Sequence, residues 1–197
     1  MRDIIRFTLN GAPVEIRAPN PTRTLLEWLR EERRLTGTKE GCAEGDCGAC
    51  TVMAVDPRGQ VRAINSCIQF LPMIDGCALT TVEGLGGADP VQKELVAQHG
   101  SQCGFCTPGF VMALHAHRAR GGAADAASIS DAITGNLCRC TGYGPIVRAG
   151  EKACATPRPR ASVPRQDAEP LGYERAIADG SYRFFAPTAL AQLAKLC

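Results

Sequence analysis

Eight of the eleven cysteines in this 197-residue chain fall into two groups of four, and thiolate side chains grouped in this way bind metal ions. The first group has the spacing C-x4-C-x2-C followed by a later cysteine, whereas the second has a C-x2-C pair followed by a distant C-x-C pair. The eight residues are Cys42, Cys47, Cys50 and Cys67 in the first group, and Cys103, Cys106, Cys138 and Cys140 in the second. The spacing therefore predicts two separate metal centres.

The first spacing is that of plant-type 2Fe–2S clusters, in which four thiolates hold the iron. Gly41, Gly45 and Gly48 lie between or beside these cysteines, where the backbone must wrap closely around a cluster. The second group starts at the expected N-terminus of a helix, whose dipole favours thiolate and cluster charge. Two 2Fe–2S clusters in one chain indicate that the protein transfers electrons.

Zinc sites and disulfide bonds are the alternatives for a cysteine-rich chain. Structural zinc usually takes its ligands from two C-x2–4-C knuckles, which the first group fits poorly and the C-x-C pair fits less well. Eleven is an odd number that a fully paired disulfide framework would not give. The remaining three cysteines are expected to be small buried or incidental thiols; they are Cys77, Cys154 and Cys197.

The composition is that of a folded protein without a strongly charged partner. Hydrophobic residues make up 45% of the chain and charged residues 21%, and the net charge is +2. This balance gives no argument for a nucleic acid or an anionic membrane as partner. The sequence shows no signal peptide and no apolar run of about 18 residues, so we expect a cytoplasmic protein without a membrane span.

Strand and turn signals surround the first cysteine group. Residues 3–9 and the PVEIRA segment that follows an Asn-Gly turn predict one hairpin, and residues 51–55 and 61–66 predict another. Between the hairpins, Thr24 and Glu27 form a capping box at the start of an apolar-faced helix. These elements predict a small α+β domain around the first metal centre.

Helix signals dominate from about residue 88 to residue 155. Asp89-Pro90, Thr107-Pro108 and Gly144-Pro145 each place proline in the first turn of a helix, and Ser128 with Asp131 is expected to cap a further one. The second cysteine group then lies at helix ends. Three histidines on these helices lack a fixed spacing to cysteine, and we expect helix-end or solvated positions for them; they are His99, His115 and His117.

The composition changes again after the predicted helices. Residues 156–170 contain four prolines and three arginines with few apolar groups, which predicts an extended linker. The final segment, PTALAQLAKLC, has leucines at near-helical spacing. A single apolar-faced helix cannot bury itself, so we expect it to belong to a further structural unit.

Three segments resemble the iron–sulfur region of the molybdenum hydroxylases, in particular of xanthine dehydrogenases: LTGTKEGCAEGDCGACTV, HGSQCGFCTPGF and GNLCRCTGYGPI. The resemblance covers nearly all of residues 1–155. It implies an α+β fold in which an N-terminal β-grasp 2Fe–2S ferredoxin-like domain precedes an all-α four-helix 2Fe–2S domain. The implied boundaries are 1–84 for the first domain, 85–155 for the second, 156–180 for a linker and 181–197 for the start of a truncated FAD-binding domain.

The resemblance also implies an oxidoreductase role connected with purine catabolism. In that family a substrate is oxidised at a molybdopterin centre on a large partner subunit or region. Electrons then pass through the helical-domain cluster and the β-grasp cluster to FAD, on a further domain or subunit, and finally to NAD+. The family places Gln102 and Cys140 beside the pterin, so these two residues are expected to couple molybdenum to iron, and no catalytic residue is expected in this chain.

Three alternatives stay open at this point. The iron–sulfur subunit of an aldehyde or N-heterocycle oxidoreductase would carry the same cysteines, because the residues that choose the substrate lie on the molybdenum-binding part. A free-standing double-cluster ferredoxin is the second alternative, and the flavin-like segment YRFFAPTALAQLAKLC argues against it. A zinc-stabilised interaction module is the third, which iron and sulfide analysis would separate from the others.

Overall fold

Strands near the N-terminus form one mixed sheet that carries the first cysteine group. The computed structural model describes residues 2–157, 171–177, 180–187, 189 and 194. The strands are β1 (Ile4–Leu9), β2 (Ala12–Arg17), β3 (Thr51–Val55), β4 (Val61–Asn65) and β5 (Ala78–Thr80), in the order β2-β1-β5-β3-β4. β1 and β5 are parallel, and the other neighbouring strands are antiparallel. Both predicted hairpins are therefore confirmed.

A capped helix covers one face of this sheet. The Thr24 hydroxyl accepts a hydrogen bond from the Glu27 N–H, and the Glu27 carboxylate accepts one from the Thr24 N–H, which confirms the predicted capping box. The helix α1 (Leu25–Glu27) continues as a π-helix over Trp28–Glu32. The ring of Trp28 packs edge-on against Phe7 of β1, with 5.5 Å between the ring centroids. This contact joins the helix to the core of the sheet.

The helical region consists of α2 (Pro90–Ala97), α3 (Thr107–Ala119), α4 (Ala126–Ala132) and α5 (Gly144–Cys154). The predicted starts of α2, α3 and α5 are confirmed. The helix α3 packs on the face of the sheet opposite α1, since Met53 and Val55 of β3 share a core with it. Val52 and Ala54 of the same strand face the α1 side, so every residue of β3 is buried. Within the described ranges, no helix is long and apolar enough to cross a membrane.

The cap of α4 differs from the expectation. Asp125, rather than Ser128, is the N-cap, and its carboxylate accepts hydrogen bonds from the Ser128 N–H at 2.9 Å and the Ser128 hydroxyl at 2.8 Å. A capping side chain must precede the first helical residue, and Ser128 already lies in the first turn.

Two of the histidines predicted at helix-end or solvated positions are buried, although His117 does lie in the last turn of α3. His115 and His117 are each 5% exposed because α3 is covered on all sides by the sheet and the other helices. The Nδ1 atom of His115 lies 2.9 Å from the Asp89 carboxylate, and the Nε2 atom of His117 lies 2.9 Å from the Ala123 carbonyl oxygen. His99 is exposed and lies just beyond the end of α2, as predicted.

A third element packs against the sheet domain. Strands β6 (Leu171–Ile177) and β7 (Gly180–Ala186) form an antiparallel hairpin. The Gly172 N–H donates to the Arg2 carbonyl oxygen at 2.9 Å, the Tyr173 hydroxyl donates to the Pro19 carbonyl oxygen at 2.7 Å, and Leu171 is buried in the sheet-domain core. Residues 171–177 thus form a docked strand, where the sequence suggested linker. Residues 158–170 and most of the segment after 187, including most of the predicted terminal helix, lie outside the described residues.

These elements confirm the α+β class, with a β-sheet domain followed by a helical region. The sheet domain positions the first cysteine group and the helix ends position the second.

Candidate metal centres

The first cysteine group lies on two adjoining segments of the sheet domain. Cys42, Cys47 and Cys50 lie on the loop that leads into β3, and Cys67 lies in the 3-10 turn that follows β4. The antiparallel pairing of β3 with β4 brings the start of one strand to the end of the other. The Ser66 hydroxyl strengthens this junction by donating to the Cys50 carbonyl oxygen at 2.8 Å.

The loop between Cys42 and Cys47 forms a cradle for negative charge. It passes twice through the left-handed region, at Ala43 with φ 57° and at Gly45 with φ 84°. Backbone N–H groups of Glu44 and Cys47 hydrogen-bond to the Cys42 sulfur, the Cys47 nitrogen lying 3.3 Å from it. These N–H groups stabilise the thiolate and lower the pKa of Cys42 to about 7. The cradle suits an anionic ligand atom.

Cys50 and Cys67 form the other half of this site, and they are buried against each other and Leu26. Burial raises the pKa of Cys67 to about 12, and the neighbouring Cys50 thiol adds to the increase. Two buried thiols in contact cannot both ionise without a cation to neutralise them. The charge of Cys42 acts in the same direction, so all three groups share one electrostatic environment.

The second cysteine group is also arranged as two pairs. Cys103 and Cys106 precede α3, and Cys138 and Cys140 precede α5. The sulfur of Cys140 lies 3.6 Å from that of Cys103 at the surface. Burial raises the pKa of Cys106 to about 12, with Cys138 as the neighbouring thiol. The Cys103–Cys140 pair is therefore open to solvent, whereas in the other pair Cys138 is buried and Cys106 is partly buried.

The turn that carries Cys138 is held by residues that follow it. The Cys138 sulfur lies 3.2 Å from the Thr141 hydroxyl. Burial raises the pKa of Cys138, but hydrogen bonds from the side chain and backbone of Thr141 outweigh burial and lower it overall. The Cys138 N–H donates to the Tyr143 hydroxyl at 2.9 Å, and that hydroxyl donates to the Asn136 carbonyl oxygen at 3.3 Å. Tyr143 thus closes the loop around the cysteine.

The pairwise arrangement fits a binuclear iron centre better than a single zinc ion. Each iron of a 2Fe–2S cluster takes two thiolates, whereas a structural zinc ion needs four ligands converging on one point. The paired thiols, the amide cradle and the two enclosed thiols therefore fit one cluster in each group.

The two cysteine groups approach each other where the sheet domain meets the helical region. The Leu137 N–H donates to the Cys47 carbonyl oxygen at 2.9 Å. Gly48, with φ 67°, fits a narrow slot, because a Cβ there would lie 2.2 Å from the Gly135 carbonyl oxygen. A Cβ on Gly109 of α3 would likewise lie 2.3 Å from the Gly48 carbonyl oxygen. Only glycine allows these backbones to pass so closely.

The remaining predicted residues lie as follows. Gln102 is exposed beside Cys103, and Cys140 is exposed on the same surface. Cys77 is buried in the core of the sheet domain, and burial raises its pKa to about 11. Cys154 packs against the helical core, whereas Cys197 lies outside the described residues.

Sequence reasoning assigned no role to the polar residues that support the two sites. Asn136 is only 6% exposed, and Asn65 donates to the Gly45 carbonyl oxygen in the cradle loop at 2.6 Å. Both asparagines lie two positions before a cysteine, as Asn136 precedes Cys138 and Asn65 precedes Cys67. This repeated Asn-x-Cys spacing is the sequence feature that could have indicated a supporting role for both asparagines.

Comparison with known protein families matches both halves of the chain. The family described as "2Fe-2S iron-sulfur cluster binding domain" matches residues 7–70. The family described as "[2Fe-2S] binding domain" matches residues 81–151. Each match contains one complete cysteine group.

Individual relatives agree with these matches. Xanthine dehydrogenase of Drosophila subobscura is 45% identical over an alignment of 172 residues, and the match covers 77% of this chain and 13% of that protein. Aldehyde oxidase 4 of Cavia porcellus is 43% identical over an alignment of 164 residues, and the match covers 79% of this chain and 12% of that protein. The chain thus spans about an eighth of the length of these curated relatives. Among solved structures, a chain of quinoline 2-oxidoreductase from Pseudomonas putida 86 is 34% identical with a TM-score of 0.67, and the alignment covers 77% of this chain and 92% of that one.

Proposed function

Because the chain belongs to the iron–sulfur region of the molybdenum hydroxylase family, we propose that it is the electron-transfer part of such an enzyme, with xanthine dehydrogenase as the best-supported activity. The observation that carries the proposal is the pair of four-cysteine sites on loops that contact each other through Leu137 and Cys47. Two sites joined in this way suit a relay rather than two independent structural metals. The substrate is bound elsewhere in the assembled enzyme, and no residue of this chain is assigned a catalytic role.

Each site is proposed to hold one 2Fe–2S cluster through its four thiolates, and a bound cluster accepts and releases one electron at a time. The first site uses Cys42, Cys47, Cys50 and Cys67, and the second uses Cys103, Cys106, Cys138 and Cys140. The backbone cradle at Cys42 and the Thr141 hydroxyl at Cys138 supply hydrogen bonds to sulfur. Such bonds are among the features by which a protein sets a reduction potential.

The exposed residues around the two sites differ, which supports a different partner domain or subunit at each site. Glu40, Glu44 and Asp46 are exposed around the first loop and add negative charge there. At the second site, the exposed Cys103–Cys140 pair and Gln102 present a surface that a partner can cover. We propose that Gln102 and Cys140 face the molybdopterin of a large partner subunit or region. FAD on a further domain or subunit, with NAD+ as final acceptor, completes the proposed assembly.

The finer fold assignment belongs to the same proposal. A five-stranded mixed sheet with α1 packed across it supports a β-grasp domain over residues 1–84. The helices α2 to α5 support a four-helix domain over residues 85–155. The hairpin β6–β7 packs on the sheet domain and extends beyond the linker proposed for residues 156–180. The start of a FAD-binding domain is the proposed identity of residues 181–197. A cytoplasmic location and a role in purine catabolism accompany this assignment.

Native purification with metal analysis and EPR spectroscopy tests the proposal. We expect about four irons and four labile sulfides for each copy of the chain, since two binuclear clusters contain that number. The reduced protein should show two distinguishable 2Fe–2S signals, and molybdenum and flavin should co-purify. A colourless protein containing zinc would reject the proposal. Iron without molybdenum or flavin would instead support a free-standing electron carrier.

Similarity to aldehyde oxidases and aldehyde oxidoreductases supports a second activity. Aldehyde oxidase 4 is nearly as similar to this chain as the xanthine dehydrogenase of Drosophila subobscura, with 43% against 45% identity. The substrate range of the purified holoenzyme separates them, with purines oxidised in one case and aldehydes in the other. Oxidation of an N-heterocycle such as quinoline would indicate the third family activity.

A further inference from the structure

The side chain of Asn136 joins the helical region to the loop of the first site. Its amide nitrogen donates to the Gly48 carbonyl oxygen at 2.9 Å and to the Thr51 hydroxyl at 3.1 Å. Both hydrogens of the amide group are therefore used across the domain boundary. With 6% exposure, Asn136 is shielded from water, so these bonds have no solvent competitor.

The same turn makes two further contacts with the first site. The Gly135 carbonyl oxygen lies against Gly48, and the Leu137 N–H donates to Cys47. Three consecutive residues of the helical region, 135–137, thus meet two consecutive residues of the first loop. Because one residue separates Asn136 from Cys138, this turn also determines where the second site lies.

Hydrogen bonds continue from this contact into the interior of the first site. The Thr51 hydroxyl, which receives the bond from Asn136, donates to the Gly48 carbonyl oxygen at 2.6 Å. It also lies 3.4 Å from the side-chain oxygen of Asn65, whose amide nitrogen donates to the Gly45 carbonyl oxygen at 2.6 Å. A chain of neutral polar groups therefore runs from the second site to the cradle of the first.

We propose that Asn136 is a positioning residue that holds the two cysteine sites in one fixed relative arrangement and thereby sets the coupling between the clusters bound there. This inference rests on the proposed function. Only an uncharged group with two donors satisfies both acceptors, since a carboxylate would place negative charge against the Gly48 carbonyl oxygen. A neutral group also adds no charge between two anionic centres. Interactions between two redox centres depend steeply on distance, so a small opening of this contact is measurable.

The substitution Asn136→Leu tests the inference in the assembled, iron-loaded holoprotein. Leucine has a similar volume and no donor, so both cross-domain bonds are lost. The Gly48 carbonyl oxygen still accepts hydrogen bonds from the Thr51 N–H, at 3.1 Å, and from the Thr51 hydroxyl. The substitution therefore leaves no unpaired backbone acceptor in the loop of the first site. In the wild-type holoprotein we expect a resolved magnetic splitting between the two reduced clusters. In Asn136→Leu we expect full iron content, loss of that splitting, and slower electron transfer between the clusters. The individual g-values of each cluster should be retained.

Thr134→Ala is the matched control, because Thr134 lies in the same turn, is exposed, and donates only locally to the Ser130 carbonyl oxygen at 3.0 Å. It should leave the splitting unchanged. The milder variant Asn136→Ser keeps one hydroxyl donor and should give an intermediate effect.

Three outcomes would overturn a role for Asn136 in positioning. The first is an unchanged splitting in a fully loaded Asn136→Leu protein. The second is loss of the splitting in the Thr134→Ala control as well. The third is loss of iron from both Asn136 variants, which would make Asn136 a residue needed for folding or cluster retention. By contrast, wild-type protein without iron would reject the proposed function itself, so the two failures are distinguishable.

Discussion

The backbone N–H of Leu137 donates to the carbonyl oxygen of Cys47 over 2.9 Å. Cys47 belongs to the first cysteine site, and Leu137 immediately precedes Cys138 of the second. One hydrogen bond and one peptide unit therefore separate the backbones of two residues proposed to bind different clusters. Since Cys47 and Leu137 lie 90 positions apart in sequence, this relationship exists only when the sheet domain and the helical region are packed together.

Gly48→Ala should destabilise this contact strongly. The added Cβ would lie 2.2 Å from the Gly135 carbonyl oxygen, and Gly48 has φ 67°, which costs a non-glycine residue about 1–2 kcal/mol. We expect a total loss of about 2–4 kcal/mol in the free energy of unfolding, in the range of strong backbone and packing defects. Thermal unfolding of the iron-loaded protein, followed by circular dichroism, measures it.

Gly135→Ala is the matched control for this prediction. Gly135 lies on the other side of the same contact, but a Cβ there meets no atom within 4 Å, and its φ is not positive. Its effect should stay within about 0.5 kcal/mol, as for ordinary surface substitutions. Equal melting temperatures for the two variants would show that the close approach at Gly48 is not tight in solution.

Tyr143→Phe should alter the second site alone. The substitution removes the hydroxyl that accepts from the Cys138 N–H at 2.9 Å and donates to the Asn136 carbonyl oxygen. Leaving the Cys138 N–H and the Asn136 carbonyl oxygen without this partner costs about 1–3 kcal/mol. The turn that carries Cys138 should become more mobile, which broadens the EPR signal of the second site. Tyr173→Phe removes a comparable hydroxyl bond, to Pro19, at the β6–β7 hairpin and should change neither signal. A change in both signals from Tyr143→Phe would contradict the assignment.

Cysteine substitutions separate proposed ligands from bystanders. Cys140→Ser should remove or severely alter one EPR signal and leave the other, because Cys140 is paired with Cys103 at 3.6 Å in the second site. Cys77→Ser should change neither signal, since Cys77 lies in the core of the sheet domain with a pKa raised to about 11 by burial. Iron content should fall by about half in the first variant only. Retention of four irons by Cys140→Ser would remove Cys140 from the ligand set.

Asp89→Asn should reveal a pH-dependent contribution to stability. Burial raises the pKa of Asp89, but the hydrogen bond and charge of His115, together with the Val91 N–H and Arg118, lower it below its ordinary value of 3.8. A carboxyl group with a lowered folded-state pKa stabilises the protein above its unfolded-state pKa, and this contribution is lost as the pH falls through the folded-state pKa.

The expected cost of Asp89→Asn at pH 7 is about 1.5–3 kcal/mol, the value of a hydrogen bond to a charged group. Asparagine is also a good N-cap, so the cap of α2 should survive the change. Thermal unfolding of both proteins between about pH 7 and pH 2 measures the difference, which should stay constant down to about pH 4 and shrink below it. A difference that does not shrink below about pH 4, or that grows towards low pH, would contradict the ionised role of Asp89.

Some features were predictable because the signal lies within a few residues. The capping box of Thr24 and Glu27 and the proline-led starts of α2, α3 and α5 are local, so sequence was sufficient for them. The predicted N-cap of α4, Ser128, lies about one turn after the observed N-cap, Asp125. Both are good capping residues, and sequence alone does not choose between them. The strand at 171–177 was missed because its stability comes from docking on the sheet domain.

By itself the sequence determined the two cysteine groups, the α+β order of the domains and the family, because ligand spacing and helix or strand patterning are short-range properties. Only the tertiary structure decided the division of each group into pairs, the burial of His115 and His117, and the contact of Cys47 with Leu137. These features depend on residues that are distant in sequence and on surfaces that become buried only when the sheet and the helices pack together. The physical reason is that burial and close backbone approach are properties of the packed molecule, which no local segment encodes.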